Sequence, residues 1–449
     1  MGASVSPQRA QTWRRVAALV IVASVAEAAY AAINMLGLQV LVDETLGLAK
    51  HLGIIMGAFL LVEALMRSVT GTLSDRWGRK PFLVGAPLLS AAAAVGIVLV
   101  GGWATSEAPP SWIYILLAMV LLRGIDGLAA AGLWPTVFAS MAESVPAHRR
   151  TSALSALTMA YMAGVAVGPK LAGWSNVHSP LAPDKRAAFF VAAALFVLAA
   201  LLAAVLIPSR RRDGKPAAQP EHGSQPIRLS DLTYAVRRRP DLVVTAMVVF
   251  IAVGSLAAVV PLYAKAVFNL DDNQLGSLFP VAAVIVGACS VPIGMLGDRW
   301  GRHRSVHCGL GLVTLSILTI TCIAAAPALE GLRRPWLLVA LASGVGVGFV
   351  MGLPAWLAYV TDAGGEGRRA QMIGAVATFE GTGALIGMTL SPYLFAMRTT
   401  YPGMLHSPLY LATAALLVGW AVAQYTVRPD RVAREASPDV MPPTSPSPD

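Results

Sequence analysis

Gly71-Thr-Leu-Ser-Asp75-Arg76-Trp-Gly78-Arg79-Lys80-Pro81 lies between two long apolar runs. A close copy recurs as Gly294-Met-Leu-Gly-Asp298-Arg299-Trp-Gly301-Arg302-His303-Arg304. Gly294 follows Gly71 by the same interval at which Asp298 follows Asp75. So dense a cluster of charge between apolar segments belongs in water, where two membrane-spanning helices nearly meet. A second pair supports the duplication. Gly132-Leu-Trp134-Pro135, running on to Glu143 and Arg149-Arg150, is echoed by Gly352-Leu-Pro354, Asp362 and Arg368-Arg369, and one constant interval relates Pro135 to Pro354, Glu143 to Asp362 and Arg149 to Arg368.

Outward from these hairpins the chain is mostly apolar. Its 449 residues are 56% hydrophobic and 13% charged, with a mean hydropathy of +0.64, the profile of a polytopic membrane protein. A hydrocarbon layer about 30 Å thick takes about 20 apolar residues per helix. The sequence predicts twelve spans: 14–40, 52–73, 82–103, 112–141, 151–174, 187–207, 241–264, 273–296, 305–326, 336–361, 370–396 and 408–427. The first run is too long for the apolar core of a signal peptide and is expected to remain as a span. Cys289, Cys308 and Cys322 all fall inside predicted helices, where they read as small core residues rather than a disulfide framework.

The formal net charge is +10, but its distribution argues against nucleic acid. Arg14-Arg15, Arg76 to Lys80, Arg149-Arg150, Arg210 to Arg212, Arg237 to Arg239, Arg299 to Arg304, Arg368-Arg369 and Arg428 to Arg434 fall in alternate loops. By the positive-inside rule these loops and both termini are expected to be cytoplasmic, in an inner membrane. The chain then divides into an N-terminal segment (1–13), a first six-helix bundle (14–207), a linker (208–240), a second bundle (241–427) and a Pro/Ser-rich tail (428–449) expected to be disordered. Within the linker, Ile227 to Arg239 reads either as a basic amphipathic helix on the inner leaflet or as solvated chain. Two related bundles place a substrate site near the midplane between them, reached by rocking of one bundle against the other.

Three motifs carry a resemblance. The Gly-x-x-x-Asp-Arg-x-Gly-Arg-Lys loop at 71–80, the Arg123-Gly124-x-x-Gly127 run in span four and the Gly164-x-x-x-Gly168-Pro169 run in span five resemble the major facilitator superfamily. Within it the chain is similar to the twelve-helix drug:proton antiporter branch. The resemblance implies an all-α fold of two pseudo-symmetric six-helix bundles and a transporter driven by the proton gradient, without a cofactor. The expected partners are a small-molecule substrate and the lipid bilayer, with no nucleic acid and a monomeric state. No Walker loop or metal-spaced His/Cys set points to an enzyme.

The internal repeat sorts the charges. Asp75, Arg79 and Glu143 have the counterparts Asp298, Arg302 and Asp362, and so read as shared scaffold. An arginine between two carboxylates can bond both. The resemblance implies that this network, with Gly71, Arg76 and Gly78, latches the cytoplasmic side shut; the alternative is simple topology signalling. Glu27, Glu63, Arg67, Arg123 and Asp126 have no such counterparts, landing on Phe250, Val286, Ser290, Ala342 and Val345. Intramembrane charges are costly, so these are where function is expected.

Glu27 lies 13 residues into the first span, about 20 Å of helix rise and near mid-membrane. Tyr30 and Asn34, three and seven residues on, are expected to share its face. Its carboxylate could carry the proton in competition with a cationic substrate, or pair structurally with an arginine. Arg123 matches the span-four arginine that the family implicates in proton coupling; Asp126 could simply neutralise it on the same helix face. Glu63 and Arg67, four apart, read as a self-contained ion pair. Glu380, the mirror of Tyr161, reads as a second proton or cation site or as a helix-helix hydrogen bond. Trp134, Tyr161 and Trp356 could line an apolar cavity that stacks on a flat or cationic guest. Gly164, Gly168, Pro169 and Gly173 are expected to let helices pack closely and to kink span five, and the resemblance associates them with exchange. Lys170 is expected to snorkel at the outer end. A proton-coupled importer of a polar metabolite, an exporter of a lipid-like molecule and a non-transporting membrane sensor remain open alternatives.

Overall fold

The computed structural model describes residues 7–146, 150–180, 184–208, 229–364 and 369–427. Each long apolar run becomes a helix, because in lipid a backbone must satisfy its own hydrogen bonds. In chain order these are α1 (Pro7–Ala32), α2 (Leu52–Trp77), α3 (Arg79–Ala104), α4 (Trp112–Ser144), α5 (Arg150–His178) and α6 (Ala187–Leu206). After the linker come α7 (Pro240–Phe268), α8 (Asp272–Trp300), α9 (Arg302–Ala325), α10 (Pro335–Ala363), α11 (Arg369–Ala396) and α12 (Ser407–Thr426). Among the described residues, eleven stretches are long and apolar enough to cross a membrane, and α5 is the remaining long helix of the twelve. The protein is a multi-pass membrane protein. The tail from 428 and most of the linker lie outside the described residues, but Leu229–Arg238 is a short helix. Ala235 is fully buried in a cluster with Leu242, Tyr359 and Val360. The linker helix therefore packs against the second bundle through Ala235.

Helix pairing carries the duplication into three dimensions. In the first half α1 packs on α5 and α6, α2 on α4, and α3 on α4 and α6. Adding six to each number reproduces the second half: α7 on α11 and α12, α8 on α10, and α9 on α10 and α12. The halves meet along α5–α8 and α2–α11, which are images of each other under the same operation. Gly78 and Gly301, equivalent positions of the two charged hairpins, both take positive φ (93° and 82°) at the junctions α2–α3 and α8–α9. Only glycine enters that region without strain, which is why each hairpin carries one there.

α1 differs from its expected extent. It continues past residue 40 through wider π-type turns at Ile33–Gly37 and Leu41–Thr45, and it is largely enclosed by its neighbours. Alanines along it, with Gly164 and Gly168 on α5, let the two helices touch backbone to side chain. A Cβ at Gly164 would lie 2.6 Å from Glu27 Cβ, and one at Gly168 would meet Ala28, Ala31 and Ala32. In the second half Gly383 and Gly387 press on the α7 backbone at Met247 and Ile251. The cysteines correct an expectation: Cys308 and Cys322 are exposed and Cys289 is half-buried, so none of them is a fully buried core residue.

Candidate functional site

At the face carrying the charged hairpins, Arg79 opens α3 directly after the Gly78 turn. Its guanidinium reaches Asp75 Oδ1 at 2.6 Å, Glu143 Oε1 at 2.9 Å and Ser74 Oγ at 2.7 Å. One arginine thus fastens the ends of α2, α3 and α4. Lys80 Nζ donates to the Ala204 carbonyl at 2.7 Å, satisfying an orphan acceptor in the last turn of α6. In the second half Arg302 pairs with Asp362, while the Asp298 side chain lies outside the described residues. Arg76 is exposed, and a Cβ added at Gly71 would touch nothing, so close helix approach does not account for Gly71 here. These bonds of Arg79 and Arg302 stay within their own halves. Among the described residues, cross-half hydrogen bonds and ion pairs toward the opposite face include Lys170 to Asn273 and Ser277, Arg398 to Asp43, Lys185 to Asp272, Lys265 to Glu44, and Gln39 to the Ala257 carbonyl.

Deep inside the first half is a polar network. Arg123 is fully buried; it donates to Asp126 on its own helix face and to Asn34 Oδ1 on α1, and its guanidinium lies 4.4 Å from the Phe59 ring centroid. Asp126 Oδ1 also accepts from Ser90 Oγ of α3 at 2.7 Å, and Ser90 Oγ is 2.8 Å from Tyr30 Oη. α1, α3 and α4 are joined by a chain of five polar side chains. A buried charge is tolerable only when paired and hydrogen-bonded in this way. Glu27, 5% exposed, lies beside the Tyr161 hydroxyl of α5 and within electrostatic range of Glu63. Glu63 is paired with Arg67 at 2.6 Å, as its spacing predicts.

This corrects the expected face of α1. Tyr30, Arg123 and Asp126 are 0–4% exposed and belong to the interior of the first bundle, not to a cavity wall. Tyr30 packs edge-on against Phe196 with centroids 4.7 Å apart. Asn34, in the π-type turn Ile33–Gly37, reaches Arg123 instead of extending Glu27's face. The extra residue per turn rotates everything beyond Ala32 relative to a regular α-helix. The residues nearer the surface are Tyr161, 38% exposed, and Trp134, whose rings meet edge to face at 5.6 Å. Across the molecule, buried Trp356 donates from Nε1 to Glu380 Oε1 at 2.8 Å, leaving the half-buried carboxylate a second oxygen. Glu380 on α11 and Tyr161 on α5 occupy equivalent positions of the two halves.

The span-five motif divides into two uses. Gly164 and Gly168 admit α1, whereas Gly173 and the Pro169 carbonyl press against Asp272 and Gly276 of α8. α5 runs through Pro169 without a break in its helix. Lys170 does not snorkel free: its Nζ donates to Asn273 Oδ1 and Ser277 Oγ, both at 2.7 Å. Ser90 and Phe59 escaped the sequence reading because a serine or phenylalanine in an apolar span has no pattern of its own. Gly383 and Gly387 did have one, standing beyond Gly164 and Gly168 by the interval that separates Glu143 from Asp362.

The sequence model of the Major Facilitator Superfamily matches residues 19–289 and 242–447. The chain belongs to the Major Facilitator Superfamily. Among curated relatives it is 26% identical over 266 residues to the multi-drug resistance efflux pump PmrA of Streptococcus pneumoniae, covering 57% of this chain and 59% of that protein. It is 25% identical over 397 residues to multidrug resistance protein 1 of Bacillus subtilis, covering 86% and 91%. The chain thus spans about three fifths of the first of these relatives and most of the second. Transporters of known structure share the fold. The nucleoside transporter NupG superposes with a TM-score of 0.73 at 12% identity, covering 92% of this chain and all of that one. A D-xylose-proton symporter gives 0.68 at 15%, covering 93% and 98%.

Proposed function

We propose that this superfamily member is a proton-coupled exporter of amphiphilic or cationic small molecules, working by alternating access in the inner membrane with both termini cytoplasmic. The observation that carries the reading is Glu27: a carboxylate enclosed where α1 meets α5, with Tyr161 beside it leading toward the surface. An enclosed carboxylate holds a proton or answers a nearby cation, and either event displaces the other. Glu380, steadied by Trp356, supplies a second acid on the opposite half, and Trp134 with Tyr161 supplies an aromatic edge for a flat guest. Arg123 and Asp126 act one layer deeper, holding α1 against α4 so that movement at Glu27 is felt by the bundle. The multidrug names of the sequence relatives support the class of cargo and the direction.

Alternating access assigns the arrangement described here to the inward-facing half of the cycle. With the charged hairpins cytoplasmic, the bonded seam between the halves is external and the cytoplasmic side is free to load. The Asp75–Arg79–Glu143 cluster then serves the opposite state, when the cytoplasmic ends close together. Inverted vesicles carrying the full chain, loaded acid-inside, test the reading with a fluorescent lipophilic cation. Gradient-driven accumulation is expected, and Glu27→Gln should abolish its coupling to the gradient. Coupled flux unaltered in that variant would refute Glu27 as carrier. No flux of any tested cation would favour the sensor alternative, and flux of opposite sign a symporter.

A further inference from the structure

We infer that Glu44, Lys185, Lys265 and Asp272 form a gate between the halves that is built to part into two neutral pairs. The inference rests on the alternating access proposed above, but its test reads a distance rather than transport. Glu44 ends the α1 extension and Lys185 lies in the connection to α6; both belong to the first half. Lys265 sits in the last turn of α7 and Asp272 in the first turn of α8; both belong to the second. Lys185 Nζ stands 3.6 Å from Glu44 Oε2 and 3.4 Å from Asp272 Oδ2, while Lys265 pairs with both Glu44 and Asp272. Each lysine therefore holds one acid of its own half and one of the other. The Asp272 side chain is fully buried.

Local structure keeps each within-half pair together regardless of the seam. In the first half Thr45 Oγ1 donates to the Asp184 carbonyl at 2.9 Å, tying the residue just before Lys185 to the end of the α1 extension beside Glu44. Lys185 takes a left-handed φ of 54° and Arg186 pairs with Asp184, which sets the turn. In the second half Asn269 turns the chain with a φ of 52°. Asp271 and Gln274 then cap α8 reciprocally, with Gln274 N to Asp271 Oδ1 at 2.7 Å and Asp271 N to Gln274 Oε1 at 3.0 Å. This short hairpin holds Lys265 against Asp272.

When the halves part at this face, the contacts Lys185–Asp272 and Lys265–Glu44 must break. Lys185–Glu44 and Lys265–Asp272 travel with their own halves. A simple bridge between two buried charges would leave both orphaned on opening, which is the expensive outcome. Here no acid loses its last base, so the seam can seal by charge and still release. Among the described residues, the flanking links, Lys170 to Asn273 and Ser277 and Arg398 to Asp43, show no second partner of opposite charge in their own half.

The test uses the purified full chain in lipid nanodiscs, with the three cysteines replaced by serine and spin labels at Glu107→Cys and Ala328→Cys, exposed positions in the two halves near this face. Double electron-electron resonance reads the separation of the halves. Glu44→Lys with Lys185→Glu keeps a neutral pair in each half but makes both crossing contacts repulsive; the ratio of short to long distances is expected to fall at least tenfold. Adding Lys265→Glu and Asp272→Lys reverses all four charges and should restore the wild-type distribution. Glu44→Gln with Lys185→Met, which leaves Lys265–Asp272 intact, should also shift the protein open, and it carries the test if the charge reversals fold poorly. An unchanged distribution in either two-residue variant, or failure of the four-residue reversal to restore it in folded protein, overturns the inference. Loss of proton coupling in Glu27→Gln would bear on the transport reading alone.

Discussion

Replacing Gly164 by alanine tests whether the α1–α5 contact positions Glu27. The added Cβ would lie 2.6 Å from Glu27 Cβ and 2.8 Å from Ala28 N, against an ordinary carbon contact of about 3.5–4.0 Å. The obstacle includes backbone, so α5 must retreat from α1 by about 1 Å. Overpacking of this kind costs about 1–3 kcal/mol, and alanine's better helix propensity returns about 1 kcal/mol. The net destabilisation is therefore small, up to about 2 kcal/mol. Tyr161 lies three residues before Gly164 on the same helix and moves with it, away from the Glu27 carboxylate. If that misalignment raises the coupled barrier by about 1.4 kcal/mol, transport falls about tenfold. Gly309→Ala is the control. Its Cβ would lie 2.6 Å from both the Gly348 carbonyl oxygen and Gly352 N, forcing a comparable separation of α9 from α10, and α9 carries no residue assigned to proton or substrate. Both variants should melt slightly below the wild type in detergent, while only Gly164→Ala should lose proton-coupled uptake out of proportion to its stability. Equal coupling in the two variants, or wild-type uptake by Gly164→Ala, would refute the argument.

Asp126→Asn leaves buried Arg123 with Asn34 and the Phe59 ring but no counter-charge; the expected cost of about 3–5 kcal/mol should appear as low membrane abundance and a depressed melting temperature, partly relieved by adding Arg123→Leu. Trp356→Phe keeps the ring but removes the N–H donated to Glu380. With a net hydrogen-bond worth about 1 kcal/mol, a lipophilic cation should bind several-fold more weakly by fluorescence titration, and unchanged affinity would remove Glu380 from the site. Arg79→Lys loses the fork that spans Asp75 and Glu143, whose side chains are each 43% exposed. Because such pairs contribute about 0–1 kcal/mol, melting should barely change while transport declines; a large loss of stability would make the cluster structural instead.

Much of the architecture was readable in one dimension because gene duplication leaves constant intervals that need no folding to detect. The interval from Asp75 to Asp298 identified both hairpins and, with them, the two positive-φ glycines; the slightly shorter one from Pro135 to Pro354 matched Glu143 with Asp362. The same arithmetic reaches Gly383 and Gly387 from Gly164 and Gly168, so these glycines read as scaffold common to both halves. Pro169, Lys170 and Gly173 have no such mirror, and they are the part of the motif that touches α8. The surroundings of α1 differ from expectation for two local reasons: Tyr30, within the regular helix, is drawn into the bundle by Ser90 and Phe196, whereas Asn34 lies in the π-type turn Ile33–Gly37, where 3.6-residue periodicity no longer holds.

By itself the sequence determined what lipid chemistry dictates: twelve apolar helices, charged hairpins in alternate loops, a duplicated bundle, and a first half holding unmatched charges that must be paired or used. Those conclusions rest on the cost of exposing polar groups to hydrocarbon, which acts residue by residue. Only the tertiary structure decided which helix faces meet: the Tyr30–Ser90–Asp126–Arg123–Asn34 chain, the Trp356–Glu380 bond, and the quartet Glu44, Lys185, Lys265 and Asp272. Most of these contacts join different helices, whose mutual faces no local pattern records, and the crossing ones exist in one arrangement of the halves. A sequence that serves both states of a rocking bundle specifies the partners of each, but periodicity and composition do not say which set is engaged.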